Sequence, residues 1–156
     1  MIRKIDHLGI AVRSIAEGRA LYEALGLAVT AIEEVPEEGV RVALIPCGES
    51  LIELLEPTSP DSPVARFLEK RGPGIHHVCR GSDDLAADDA RLRAGGFEVL
   101  RPAPTRGAGG CWVQFVHPRS TGGVLLELSQ PGELEAAGER PPGSAAPEPA
   151  AGEEKA

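Results

Sequence analysis

Four residues of types that ligate cations sit in short apolar frames: His7 in IDHLGIAV (5–12), Glu53 in LIELLEP (51–57), His77 in GIHHVC (74–79) and Glu127 in LLELSQP (125–131). Their spacing is not arbitrary. Displacing the sequence by 70 residues lays His7 on His77, Ser14 on Asp84, Ile15 on Leu85, Tyr22 on Leu92, Gly26 on Gly96 and Val29 on Val99. A displacement of 74 lays Glu53 on Glu127 and Pro57 on Pro131, so the second copy carries four extra residues in its middle. A carboxylate among aliphatic residues in a strand is costly unless a counter-charge compensates it. Any one of these residues alone reads as a satisfied strand histidine, or as a glutamate on a solvated face. All four in repeat register point instead to one cation on a pseudo-twofold axis. That N₂O₂ set, with room for water or substrate, suits Co²⁺, Mn²⁺, Ni²⁺ or Zn²⁺ and leaves the choice among them open.

Each copy reads as strand, helix and three strands, a duplicated βαβββ arrangement. In the first (about 3–57), residues 3–12 form a strand, and Ser14-Ile15-Ala16-Glu17 carries a capping-box signature opening a helix. Ile15, Tyr22 and Leu25 recur at helical spacing and Gly26 ends the helix. Strands near 28–34, 39–46 and 50–56 follow, divided by the turn-rich PEEG and CGES. Ser62-Pro63 begins a connecting helix that stops near Arg71-Gly72, giving 62–72. The second copy (about 74–131) has a strand at 74–82, Asp84 as helix cap, a helix to about Ala94, and strands near 97–101, 111–117 and 123–129. The fold class this implies is α+β, with residues 1–131 as one domain.

Strand alternation assigns faces. Leu8, Ile10 and Val12 share the side that packs under the helix; His7 shares the other with Gly9 and Ala11, which leave space. His77 falls with Cys79 and Gly81, so it is the counterpart of His7, whereas His76 matches Asp6 and faces away, toward a supporting hydrogen bond or a subunit contact. Ile52 and Leu54 flank Glu53 from the opposite face, as Leu126 and Leu128 flank Glu127. His117, just before Pro118, reads as a loop anchor. Gly107-Ala108-Gly109-Gly110 lacks the Lys-Ser/Thr of a P-loop and reads as a flexible strand-entry loop.

Composition narrows the class. A chain of 156 residues with 42% apolar residues suits a globular protein, and its few aromatics leave Leu, Val, Ile and Ala to fill the core. No apolar run has the length to span a bilayer, and Met1 is followed at once by a strand-like segment without a signal-peptide core. Cys47, Cys79 and Cys111 are widely spaced and odd in number, which argues for reduced thiols in a cytoplasmic protein. The net charge of −8 argues against nucleic acid as partner. Half of it lies in 132–156, an Ala/Pro/Gly/Glu-rich stretch with six acids and two bases that reads as a disordered, solvating tail.

Paired modules with a His in the first strand and a Glu in the last resemble the vicinal oxygen chelate superfamily. Within it the chain closely resembles the methylmalonyl-CoA epimerases over about 3–130. The stretches that carry the likeness are IDHLGIAV, EEVPEEGV (33–40), SPVARFLEKRG (62–72), GIHHVC, GAGG (107–110) and VHPRSTGGVLLEL (116–128). The resemblance implies a curved, mainly antiparallel eight-stranded sheet around a divalent metal, Co²⁺ foremost, with His7, His77 and Glu127 as ligands. Glu53 falls where the family places another ligand, Gln or Glu. It further implies an acyl-CoA thioester substrate, a homodimer, and interconversion of (2R)- and (2S)-methylmalonyl-CoA by proton transfer through an enolate. Some members carry a glutamate, proposed as catalytic base, at the position of Val42; here Glu53 and Glu127 are the candidates for the two acid/base groups. Arg101, Arg106 and Arg119 are candidates for the CoA phosphates. Other readings are a glyoxalase I-like lyase, an extradiol dioxygenase with a His, His, Glu triad, and a drug-sequestering protein of this fold without chemistry.

Overall fold

A computed structural model describes residues 2–132; the segment read as a tail lies, from residue 133 on, outside the described residues. The elements run β1 (Ile2–Ala11), α1 (Ile15–Ala24), β2 (Ala31–Val35), β3 (Val40–Cys47), β4 (Ser50–Pro57), α2 (Pro63–Arg71), β5 (Gly74–Ser82), α3 (Leu85–Ala94), β6 (Thr105–Arg106), β7 (Trp112–Val116) and β8 (Leu126–Gln130). All eight strands join one sheet in the order β2-β3-β4-β1-β5-β8-β7-β6. Within each copy the first strand pairs parallel with the last (β1 with β4, β5 with β8), and the remaining ladders are antiparallel. The copies meet where β1 and β5 run antiparallel side by side. The sheet is curled. Glu33 and Glu38, at one end of the strand order, reach Gly109 N–H and the Arg101 guanidinium at the other.

The repeat register is kept in local detail. Both module helices end alike: Gly26 and Gly96 adopt positive φ, with Leu27 N–H donating to Tyr22 O and Phe97 N–H to Leu92 O. This left-handed closure favours glycine because it lacks Cβ. Both helices also begin alike, with a last-strand side chain accepting from the first helical N–H. Glu56 takes Ile15 N–H at 2.7 Å and Gln130 takes Leu85 N–H at 2.6 Å. The capping box read at Ser14 does not form. Ser14 makes no side-chain cap, because the Glu56 carboxylate already occupies that helix end. Asp84 and Ser62 do cap their helices, accepting from Ala87 and Ala65 N–H.

Other boundaries moved for stated reasons. The strand expected at 97–101 is reduced to a single bridge, Val99 to Val116, and the edge strand is Thr105–Arg106. Pro102 and Pro104 have no N–H to continue the ladder. The last strand starts at Leu126 rather than 123, since Gly122 and Gly123 turn at positive φ. Leu25, placed on the apolar stripe of its helix, is 69% exposed; Ile15 alone of that helix is buried.

Two apolar clusters sandwich the first module's sheet. Val12, Ile15, Ala43, Ile45 and Leu54 pack beneath α1. Ala11, Val42 and Leu55 pack on the other face against Val64 and Leu68 of α2. Alternation along β4 therefore sends Leu54 one way and Glu53 the other. The concave side is available to polar groups only because of one small residue. Gly9 sits opposite His77 across the β1–β5 seam, and a Cβ on Gly9 would collide with the His77 ring. We expect Gly9→Ala to displace that ring and to cost about 1–3 kcal/mol, as overpacking does; thermal melting and metal content of the variant check this.

Candidate metal centre

The strand order β4-β1-β5-β8 lines up Glu53, His7, His77 and Glu127 across the centre of the sheet. All four are buried, at 5–7% exposure. The Nε2 atoms of His7 and His77 lie 3.1 Å apart. Glu127 Oε2 stands 3.0 Å from His77 Nε2 and 3.5 Å from His7 Nε2, and Glu53 Oε2 is 3.5 Å from His7 Nε2. His7, His77 and Glu127 have donor atoms all within 4.8 Å of one another. Glu53 stands slightly outside that triad, reaching it through His7.

Each imidazole is held from behind. Asp6 Oδ2 is 3.1 Å from His7 Nδ1, and His76 Nδ1 is 3.1 Å from His77 Nδ1. Simple alternation turns Asp6 and His76 away from the site, and the structure corrects this. Between Ile5 and His7 the partner steps only from Arg80 to Cys79, so Asp6 is an extra residue in β1; between Gly9 and Ile10 it jumps from His77 to Ile75, so His76 is extra in β5. Such bulges break the two-residue period and re-aim side chains. His76 consequently makes the supporting hydrogen bond while also packing edge-on against Phe67 and lining the cavity beside the site. Asp6 is the residue that strand reasoning missed. Its adjacency to His7 was visible, but nothing in the sequence marks a bulge.

The electrostatics ask for a cation. An ionised Asp6 accepts from His7 Nδ1–H, which turns Nε2 toward His77 and two carboxylates. Burial alone would lower the His7 pKa, yet hydrogen bonds to Asp6, Cys79 and Glu127 and the charge of Glu53 raise it well above the ordinary histidine value. Burial favours neutral Glu127, but the His7 and His77 contacts outweigh it and bring the carboxyl down to about 2. Glu53, less well partnered, is raised by burial. Burial also pushes the Cys79 thiol up to about 11. A divalent transition ion fits this constellation. Imidazole and carboxylate are its usual donors, and bonds of about 2.0–2.2 Å place neighbouring donors about 3 Å apart. Carboxylate partners such as Asp6 commonly orient ligating histidines.

Beside the centre lies a partly open cavity. Val40, Val42, Leu55, Val113 and Phe115 give it apolar walls, and Glu53, His77 and Glu127 its polar end. Gly107 and Ala108 close one side, with Gly109 N–H pinned to Glu33 at 2.7 Å, so the GAGG segment is a fastened turn. None of the arginines singled out for phosphates lines the cavity itself, although Arg101 abuts its Glu38 and Phe115 walls. Arg101 binds Glu38 and Thr105. Arg106 stacks over Trp112 at 4.0 Å, and Arg119 approaches Glu98 at 3.6 Å. His117 accepts from Arg119 N–H and caps a short turn, a loop anchor.

A curled sheet of two βαβββ halves with buried His and Glu donors at its seam is the architecture of the glyoxalase/bleomycin resistance protein/dioxygenase superfamily, whose family model matches residues 6–115. The ethylmalonyl-CoA/methylmalonyl-CoA epimerase of Cereibacter sphaeroides is 41% identical over 133 residues, covering 83% of this chain and 99% of that protein. The crystal structure of methylmalonyl-CoA epimerase from Mycobacterium tuberculosis superposes with a TM-score of 0.80 at 35% identity, covering 85% of this chain and 90% of that one. A methylmalonyl-CoA epimerase in complex with methylmalonyl-CoA and NH4+ gives 0.81 at 37% identity, covering 87% and 99%. The chain belongs to this superfamily and, within it, to the methylmalonyl-CoA epimerase family. Among the described residues no helix is long and apolar enough to cross a membrane.

The supporting histidine gives a pH signature. Burial, followed by the charge of His77, lowers the His76 pKa from 6.5 to about 4. A histidine depressed on folding binds its proton more readily when unfolded, so protonation favours unfolding. Stability contributed by neutral His76 is thus complete above about pH 6.5 and is lost as pH falls toward 4. Urea midpoints of the wild type and of His76→Gln, measured at pH 7 and pH 5, should differ in this way, with the variant showing the flatter dependence.

Proposed function

We propose that this protein epimerises methylmalonyl-CoA, moving the proton at the carbon between the thioester carbonyl and the carboxylate. The observation that carries the reading is the meeting, in a chain of the epimerase family, of two histidines and two glutamates from repeat-equivalent strands beside an apolar cavity. His7, His77, Glu127 and Glu53 would hold the divalent ion, for which Co²⁺ leads Mn²⁺, Ni²⁺ and Zn²⁺ on family resemblance. When bound, such an ion would supply Lewis acidity and would stabilise negative charge developing on the substrate.

The chain's own residues must then do the proton work. Inversion requires one group on each side of the reacting carbon. Glu53 and Glu127 come from β4 and β8, which flank the β1–β5 seam from opposite sides, an arrangement suited to that demand. They are not equivalent. Glu127 is gripped by both imidazoles, whereas Glu53 touches only His7 and shares the cavity wall with Val42 and Leu55, which leaves it freer to swing. Glu53 therefore takes the place of a base at position 42, where a buried valine has none to offer. Glu38, the other carboxylate on the cavity wall, is occupied by Arg101. The apolar walls exclude water from the alkyl side of the substrate. A homodimer is proposed on family grounds.

Following α-deuterium loss from labelled methylmalonyl-CoA tests the assignment. Glu53→Gln and Glu127→Gln should each slow epimerisation by about 10²–10⁴, the usual scale for acid–base groups. Undiminished exchange in both variants would rule these carboxylates out as the proton carriers. Chelation should abolish turnover and lower the melting temperature, and restored ion should raise it in proportion to the logarithm of its concentration.

A further inference from the structure

The apolar cavity reaches the centre from one end of the curled sheet, and a second opening reaches it from the other. The strand registers place the two. Along β4 the cavity takes Leu55 and the second opening Leu51, on either side of Glu53. Along β7 the cavity takes Phe115 and the second opening Cys111, on either side of Val113. Glu53 and Glu127 line both, whereas His77 lines only the cavity and His7 only the second opening. We propose that the second opening is the route by which the divalent ion enters and leaves, apart from the cavity that takes the substrate. This rests on the function proposed above for the presence of an ion, and not for the identity of the substrate.

The two ends differ in what they offer a cation. Val40, Val42, Leu55 and Phe115 wall the cavity and have nothing to replace the water of a hydrated ion. The Arg101 guanidinium also stands behind that wall, paired with Glu38 and 5.5 Å over the Phe115 ring, and repels positive charge. The second opening is lined by the carboxylates of Asp6, Glu53 and Glu127, with the Cys111 thiol and the Ser129 hydroxyl between them. Among the described residues no Lys or Arg lines it. A passage of one sign concentrates counter-ions and speeds their entry. The carboxylates are graded inward. Asp6 has its side chain 31% exposed, against 9% for Glu53 and 6% for Glu127. Asp6 is also hydrogen-bonded to His7 at 3.1 Å, so an ion that meets it at the rim is already beside the first imidazole.

The test is the rate of Zn²⁺ uptake by the metal-free full-length protein and of its release to a chromophoric chelator, both by stopped flow. A narrowed passage raises one barrier in both directions, so it slows uptake and release by the same factor and leaves the Kd alone. Cys111→Phe should slow both by about tenfold at unchanged Kd, and Cys111→Ser should slow neither. Val42→Phe, which narrows the apolar cavity instead, should leave both rates as in the wild type. Equal rates in Cys111→Phe and wild type overturn the proposal, as does slowing by Val42→Phe alone. A shifted Kd with only one rate altered overturns it likewise, since the substitution has then acted on the ligands. A wild type that takes up no Zn²⁺ refutes the metal reading itself; uptake indifferent to Cys111 refutes the route alone. Should Cys111→Phe melt early, the Cys47→Ser protein treated with methyl methanethiosulfonate carries the same comparison, because Cys79 is fully buried. Capping Cys111 should slow both rates and reduction should restore them; a Cys111 that the reagent never reaches overturns the route.

Discussion

The constraint on which the rest depends is electrostatic. Two carboxylates and two imidazoles are held out of water, with donor atoms 3.0 to 3.5 Å apart. Buried ionic groups without compensation cost several kcal/mol each, so this sheet is consistent only with positive charge at its seam. A proton on His7 supplies part of it, which is why that ring holds its proton so firmly and Glu127 gives its own up so readily. A divalent ion would supply more and would be shared by all four groups.

Duplication is how a short chain meets that constraint. One βαβββ unit offers one histidine and one glutamate, too few to hold an ion tightly. Pairing β1 antiparallel to β5 brings the two first strands together and leaves the parallel strands β4 and β8 to present a glutamate on either side. The approach is close enough that position 9 has no room for a side chain. The secondary features are copied with the same economy. Glu56 and Gln130 cap equivalent helices, and Gly26 and Gly96 close them. The copies have diverged where their environments differ, as in the shortened edge strand after Pro102 and Pro104.

What the sequence discloses and what it withholds divide along a physical line. Periodic features were legible. Alternation in IDHLGIAV separated Val12 and Ile10, which pack with the α1 cluster, from His7; the 70-residue register separated His77 from its neighbour; Asp84 and Ser62 were recognisable caps. The failures are aperiodic. Two bulges put Asp6 and His76 into the support of the centre against alternation, and a bulge leaves no mark in residue type. Ser14 matched a local capping pattern, but Glu56, forty-one residues away from Ile15, won the helix terminus. Leu25 had helical spacing without a partner surface. Arg101, Arg106 and Arg119 could not be told apart by type, since their engagement with Glu38, Trp112 and Glu98 appears only in the structure.

The departures from symmetry matter as much as the symmetry itself. A fully symmetric centre would treat both faces of a substrate alike, yet the substrate has one long arm and must leave by one side. The connecting helix α2 belongs to neither repeat. It covers the first module's concave face with Val64 and Leu68 and turns Arg66, Lys70 and Arg71 outward beside the cavity mouth. The two supporting residues follow the same division. Asp6 backs His7 with a full negative charge, while His76 backs His77 with a ring that burial keeps neutral and that also lines the cavity. The paired histidines of GIHHVC are therefore divided in role, His77 turned to the centre and His76 holding it from behind.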